Sequence, residues 1–303
     1  MSCYRCPRGC GAERKNGQEA TYGFCRVPEQ PVLARAALHF WEEPCISGEE
    51  GSGTVFFSGC NLQCVYCQNR PIASGVVGRT VTTERMAEIF LELQEQGANN
   101  INLVTPSHYY PEIRQALLSV RGQLHIPVIS NTSSYETVEQ LREMEGLIDL
   151  YLADYKYASS KLAKKYSHAE DYPEVAMQAL REMFRQTGEP VFDEQGRMKR
   201  GMIIRHLLLP GYVEESKQAV RRLYEEFGDA VYLSIMNQYT PVGMESYPEL
   251  NRRVTKEEYE ELVEEAIALG VENGFIQEGE TAEESFIPAF TCEGVESRTI
   301  NPN

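Results

Sequence analysis

Three cysteines carry the sharpest chemical signal in this sequence. Cys60, Cys64 and Cys67 stand in FFSGCNLQCVYCQN (56–69) with the spacing C-x3-C-x2-C. Three thiolates in one short loop can each ligate one iron of a [4Fe–4S] cube and leave the fourth iron open. An open iron can chelate a small ligand that offers an amine and a carboxylate. Gly59, Asn61 and the aromatic Tyr66 suit a tight loop whose backbone approaches such a cluster. A structural zinc ion takes four protein ligands, and this loop offers three.

A second set lies at the N-terminus. Cys3, Cys6, Cys10 and Cys25 follow C-x2-C-x3-C-x14-C. Four thiolates fit either a four-cysteine zinc site or a second [4Fe–4S] cluster. Zinc would staple the segment, whereas a cluster would give an electron entry route or bind substrate. The two remaining cysteines, Cys45 and Cys292, stand singly and are expected as free, buried thiols. Clustered cysteines in a reducing compartment point to metal rather than to a disulfide framework.

These residues need elements to position them. The first 36 residues are rich in cysteine, glycine and proline and too short to bury a core alone, so 1–36 is expected as a metal-stapled segment ahead of one domain, 37–303. From residue 54 strand and helix patterns alternate. Apolar strands are expected at 54–59, 100–106, 126–132, 149–155, 202–211, 230–241 and 274–278. Between them stand helical patterns at 82–97, 110–122, 135–146, 213–228 and 254–270, with further helical pieces before 187 and a polar hairpin at 190–201. Thr83 is the expected cap of the first helix and Gly97 its stop. Repeated strand–helix units with continuous apolar strands predict a parallel α/β sheet, as an open barrel or a doubly wound sheet. Either form binds ligands at the strand C-termini. Thr105, Asn131, Asp154, Arg205 and Gln238 all fall late in, or just after, such strands.

The cysteine loop resembles the signature of the radical S-adenosylmethionine (SAM) superfamily, and the sequence over roughly 1–290 is similar to relatives of pyruvate formate-lyase-activating enzyme. That resemblance implies a partial (β/α)6 TIM-like barrel with a [4Fe–4S] cluster at its open end. It also implies reductive cleavage of SAM to a 5′-deoxyadenosyl radical, with a reductant such as flavodoxin or ferredoxin. The substrate would be a glycyl-radical protein or another protein or small molecule. Asp154-Tyr155-Lys156 matches the family's Asp-x-Lys motif, and an acid and a base two positions apart face the same side. Asn131-Thr132 resembles a pair near the SAM ribose, and otherwise reads as a helix cap. Arg205 could take the SAM carboxylate bidentately. Gln238, with its neighbours Asn237 and Tyr239, could meet adenine or substrate. The family's Gly-Gly-Glu, which holds the SAM amine, is replaced by VTPSHYYP (104–111). There Thr105, Ser107 and His108 are the available polar groups, with His108 also a candidate proton shuttle. A non-catalytic iron–sulfur electron-transfer or scaffold protein is the alternative, and the missing Gly-Gly-Glu favours it.

The net charge of −16, from 29 basic and 45 acidic residues, repels phosphate backbones, so a large nucleic-acid footprint and an RNA substrate are disfavoured. Hydrophobic residues at 42% and charged residues at 24% suit a globular chain. No apolar run spans a membrane and the N-terminus has no signal-peptide pattern, so a cytoplasmic protein is expected.

Overall fold

The computed structural model describes residues 2–15, 23–277 and 288–296. Parts of the expected 1–36 segment, residue 1 and residues 16–22, lie outside them, as does the last residue of the strand expected at 274–278.

One sheet runs in chain order through β1 (Val32–His39), β2 (Ser52–Phe57), β3 (Ile101–Val104), β4 (Val128–Thr132), β5 (Leu150–Asp154), β6 (Met198–Leu207), β7 (Tyr232–Met236) and β8 (Gly274–Ile276). β1 pairs with β2 antiparallel, and every later neighbour in this series is parallel. Helices fill the crossovers. They are α1 (Thr83–Glu95), α2 (Tyr110–Val120), α3 (Val138–Glu143), α4 (Ser160–Ser167), α5 (Tyr172–Thr187), α6 (Val213–Phe227) and α7 (Lys256–Leu269). A parallel sheet whose strand order never reverses curls in one direction, with its helices on one face. The result is the expected partial (β/α)6 barrel.

Local patterns explain the helices. Met86, Ile89, Phe90 and Leu93 form the buried stripe of α1, at the spacing of one helical face. Its cap is Thr82 rather than Thr83. Thr82 stays extended and accepts the Arg85 N–H at 3.1 Å, which satisfies an amide that the helix leaves free. In α7 only Tyr259, Leu262 and Ala266 are buried, so the acidic face is solvated. Thr255 and Glu258 close a capping box at its start. No helix among the described residues is long and apolar enough to cross a membrane.

β1 is absent from the strand pattern expected from the sequence, and the boundary expected after residue 36 falls inside it. Its Leu33, Ala34 and Ala36 are buried, so it lacks the polar–apolar alternation that marks a half-exposed strand. The chain leaving β1 then crosses the barrel floor. Cys45 and Ile46, in the short helix Pro44–Ser47, pack among the inward residues Ile129, Leu150, Leu152 and Ile203. Cys45 is thus a free, buried thiol as expected, whereas Cys292 is not fully buried. Cys292, half-buried, lies in the C-terminal stretch that pairs with β1, where its N–H donates to the Ala34 carbonyl at 3.0 Å.

The same crossing segment brings two carboxylates inside. Arg205 points inward from β6 and is 9% exposed. Its Nε donates to Glu43 Oε1 at 2.9 Å, and its Nη2 donates to both Glu42 and Glu43. Glu42 also accepts from Asn102 Nδ2 at 2.9 Å and Asn131 Nδ2 at 3.3 Å. Burial pushes the Glu43 carboxyl up, but the charge and hydrogen bonds of Arg205 outweigh it and hold the group below the usual carboxylate range. Arg205→Met leaves two buried carboxylates unpaired and should destabilise the protein by about 3–5 kcal/mol near neutral pH. Glu43's contribution in the parent is lost only as pH falls through its depressed folded value. In the variant burial is opposed only by hydrogen bonds from the Glu43 backbone and Ser234, so the carboxyl titrates higher than in the parent and protonation relieves the penalty. Urea unfolding at pH 8 and pH 5 should therefore show the gap between the two proteins narrowing at pH 5.

Candidate functional site

The cysteine loop leaves β2 at the C-terminal mouth of the barrel. Its turn requires Gly59, which has φ +84°. A Cβ there would stand 2.3 Å from Val27 Cγ1 and 2.5 Å from the Cys25 carbonyl oxygen. Cys60, Cys64 and Cys67 line a cleft of about 270 Å³ at that mouth. Burial pushes all three thiols up, Cys67 to about 12, while the Lys156 charge opposes the shift. Iron binding must displace these protons. The Leu62 N–H donates to Cys60 Sγ at 3.3 Å, a bond that a metal-bound thiolate would strengthen. No three described His, Cys, Asp or Glu side chains converge closely enough for a single metal ion. The donor set fits a [4Fe–4S] cube, on which each thiolate binds its own iron.

Hydroxyls support the loop from behind. Ser167, the last residue of α4, donates to Cys64 Sγ at 3.0 Å and shares a 2.7 Å bond with Tyr157. Tyr157 in turn donates to Tyr66 at 2.8 Å. Tyr66 itself is buried and packs on Tyr157, Tyr166 and Tyr239. The expectation that Tyr66 serves the loop thus acquires a physical route: its hydroxyl ends a hydrogen-bond chain that starts on a cluster sulfur.

Around the cleft the strand ends contribute Thr105, Asn131 and Thr132, and further on Asp154, Lys156, Arg205 and Gln238. Lys156 Nζ contacts Asp154 Oδ2 within ion-pair distance. Burial lowers the Lys156 ammonium, but Asp154 and the nearby cysteines outweigh it and raise it, so it stays charged. Thr105 holds φ +58°, a left-handed conformation that costs a non-glycine residue energy and often marks a functional turn. Asn131 Oδ1 and Nδ2 are turned toward Arg205 and Glu42. Thr132 donates to the buried Glu136, which is not the helix-cap bond.

Two expected residues lie elsewhere. Ser107 is buried and its carbonyl accepts from Gln140. His108 is buried behind Gly59, with Nε2 2.8 Å from the Ser58 carbonyl oxygen. Burial and the Arg14 charge lower the His108 pKa to about 3. A group so placed neither lines the cleft nor takes up protons near neutrality. The short 3-10 turn after Thr105 carries both side chains away from the mouth. His206 faces outward from β6, its Nδ1 near the Tyr155 carbonyl oxygen. Arg205 faces the cleft, but Glu42 and Glu43 already hold it. His39, Gln68 and Asn69 also line the cleft. Glu42 is a cleft carboxylate that the strand-end rule misses, since it arrives from the floor crossing. The signal is two adjacent acids within the otherwise apolar run ALHFWEEPCI (37–46).

Ser167→Ala should lower the reduction potential of the cluster-loaded protein, because a hydroxyl donor to sulfur favours the more negative, reduced state. Ser167→Thr should restore it. Redox titration followed by electron paramagnetic resonance measures this, and equal potentials in all three proteins would refute it.

Comparisons with known proteins agree with this geometry. An uncharacterized protein of Methanocaldococcus jannaschii, MJ0674, is 28% identical over 273 residues, covering 87% of this chain and 73% of its own. The crystal structure of Streptococcus suis SuiB bound to S-adenosylmethionine superposes with a TM-score of 0.50 at 13% identity, covering 73% of this chain. The match takes in 48% of SuiB, so the chain corresponds to about half of that protein and shares its fold there. Residues 54–224 match the family model of the radical SAM superfamily, and with its barrel and its cysteine loop this chain belongs to that superfamily.

Proposed function

We propose that this protein cleaves SAM reductively at the Cys60–Cys67 loop and directs hydrogen abstraction to a C–H bond of a substrate entering the barrel mouth, in the manner of activating enzymes. The observation that carries the reading is the meeting of three thiols, the Asp154–Lys156 pair and Thr105 in one cleft. Cys60, Cys64 and Cys67 would hold a [4Fe–4S] cluster, which would supply the electron for reductive cleavage of SAM.

The chain's own groups then have distinct tasks. Asp154 and Lys156 offer an acceptor and a donor side by side for the polar groups of SAM. Lys156 also places a positive charge beside Cys64 and Cys67, which favours anionic sulfur. Gln238 stands across the cleft, and its carbonyl accepts from Gln68 Nε2 at 2.6 Å. That bond ties the cluster loop to the end of β7. The SAM ammonium would find oxygen acceptors in Thr105 and in Glu42, which supplies the carboxylate absent after β3. The activating-enzyme subtype rests on the resemblance of the sequence. Its substrate class is a backbone or other C–H bond, and its reductant a flavodoxin or ferredoxin.

The test is anaerobic reconstitution, reduction, addition of SAM, and assay of methionine and 5′-deoxyadenosine. Equal amounts of both are expected. A loaded cluster that yields neither would leave the non-catalytic electron carrier as the better description. Cys64→Ala should lose both bound iron and product. Asp154→Asn should keep its iron and bind SAM about 10- to 100-fold more weakly, the loss expected for a charged hydrogen bond, as read by calorimetry on the reconstituted protein.

A further inference from the structure

Cys3, Cys6, Cys10 and Cys25 lie outside the cleft, yet they are not isolated. Two two-residue strands, Ser2–Cys3 and Ala12–Glu13, pair antiparallel and set Cys3 opposite Ala12. Within the loop between them the Gly9 N–H donates to the Cys6 carbonyl and the Gly11 N–H to the Cys3 carbonyl, each at 3.0 Å. The next loop comes up against it, since a Cβ on Gly23 would stand 2.8 Å from Cys10 Sγ. Cys6 is within electrostatic reach of Cys3, Cys10 and Cys25. Backbone amides also serve the sulfurs. The amide two residues on, of Arg8 for Cys6 and of Val27 for Cys25, opposes the upward push of burial on each thiol. The same i+2 pattern serves Cys60 from Leu62 and Cys67 from Asn69. The pattern thus serves Cys6 and Cys25 in one set and Cys60 and Cys67 in the other.

The surroundings call for an anion. Arg14 is 6% exposed, and its described hydrogen bonds run to the carbonyls of Pro28 and His108. No described carboxylate forms an ion pair with it; Glu112, held by Arg5, acts on it from farther off, and Cys25 and Cys3 are nearby charge partners. A buried guanidinium without a carboxylate is costly unless another anion faces it. A metal-bound tetrathiolate is such an anion.

Position gives the site its role. Cys10 is exposed, Cys3 and Cys6 are half-buried, and Cys25 is buried. Cys25 reaches the cluster loop directly, with its carbonyl packed against Gly59 and its thiol within electrostatic reach of Cys60. Arg8, between Cys6 and Cys10, donates to the carbonyls of Asn61 at 2.8 Å and Leu62 at 3.3 Å. The four thiols therefore run from the surface to the back of the cluster loop. A single zinc ion would draw its sulfurs to about 2.3 Å from one centre, whereas a cube lets each sulfur bind its own iron.

We infer that Cys3, Cys6, Cys10 and Cys25 ligate a second [4Fe–4S] cluster that accepts electrons at the protein surface and passes them to the cluster of the Cys60–Cys67 loop. A one-electron carrier protein reduces the outer cluster from the 2+ to the 1+ state. The outer cluster returns to 2+ as the inner one goes from 2+ to 1+. No proton or bond changes hands in this step. The inference rests on the radical SAM reading of the inner site, and its test separates the two.

Three anaerobically reconstituted proteins decide it: the parent, Cys3→Ala/Cys6→Ala/Cys10→Ala, and Cys60→Ala/Cys64→Ala/Cys67→Ala. Iron, sulfide and zinc are assayed, and the reduced proteins are examined by electron paramagnetic resonance with and without SAM. The parent should hold about eight irons and no zinc, and each variant about four. SAM should perturb the spectrum of the N-terminal variant and leave that of the loop variant unchanged. With a reduced flavodoxin in place of dithionite, the N-terminal variant should reduce its remaining cluster at least about tenfold more slowly. About one zinc and four irons in the parent would overturn the inference in favour of a structural staple. So would equal reduction rates by flavodoxin. Four irons in the N-terminal variant with a spectrum blind to SAM would instead count against the inner-site reading. Should that variant fail to fold, the loop variant still decides, because a loop variant holding zinc and no iron refutes the outer cluster.

Discussion

A guanidinium inside a barrel cannot stay unpaired. Arg205 lies largely buried on the inward face of β6, and the chain meets this constraint with Glu42 and Glu43. Those residues can reach it only if the segment after β1 crosses the barrel floor. The crossing also brings Cys45 and Ile46 into the lower core. It leaves one carboxylate, Glu42, facing the cleft. Floor, ion pairs and cleft are thus one arrangement, and β1 is antiparallel because the chain must return to the floor before β2 begins its climb.

The upper end follows a different requirement. A cluster loop needs sulfurs held apart and amides or hydroxyls aimed at them. Gly59 permits the approach of the Cys25 carbonyl and Val27, and α4 ends with Ser167 against Cys64. Tyrosines from several elements pack around Tyr66 and exclude water from that side. A dry, hydrogen-bonded shell is what tunes an iron–sulfur centre. The N-terminal cysteine segment is part of this shell, because Arg8 grips the loop carbonyls.

The parallel strands were legible because both faces are covered and each reads as an apolar run. The helices were legible because their buried residues recur every three or four positions, as in α1. β1 escaped because its alanines carry no strong strand preference and its burial lacks alternation. At the cleft, residues at strand ends could be placed from the rule for parallel barrels, and Thr105, Asn131, Asp154, Lys156 and Gln238 line it. The match to the family's Gly-Gly-Glu position failed for Ser107 and His108, because a 3-10 turn begins at once and directs both side chains into the core.

The sequence by itself determined the cysteine spacing, the repeating strand–helix units and therefore the mouth at which chemistry occurs. These are local matters, set by residues a few positions apart. Only the tertiary structure decided which groups share the cleft with the thiols. Glu42 meets Arg205 across 163 positions of chain, and Ser167 meets Cys64 across 103. Periodicity carries no information about such pairs, since they exist only once the barrel has curled and its floor has closed.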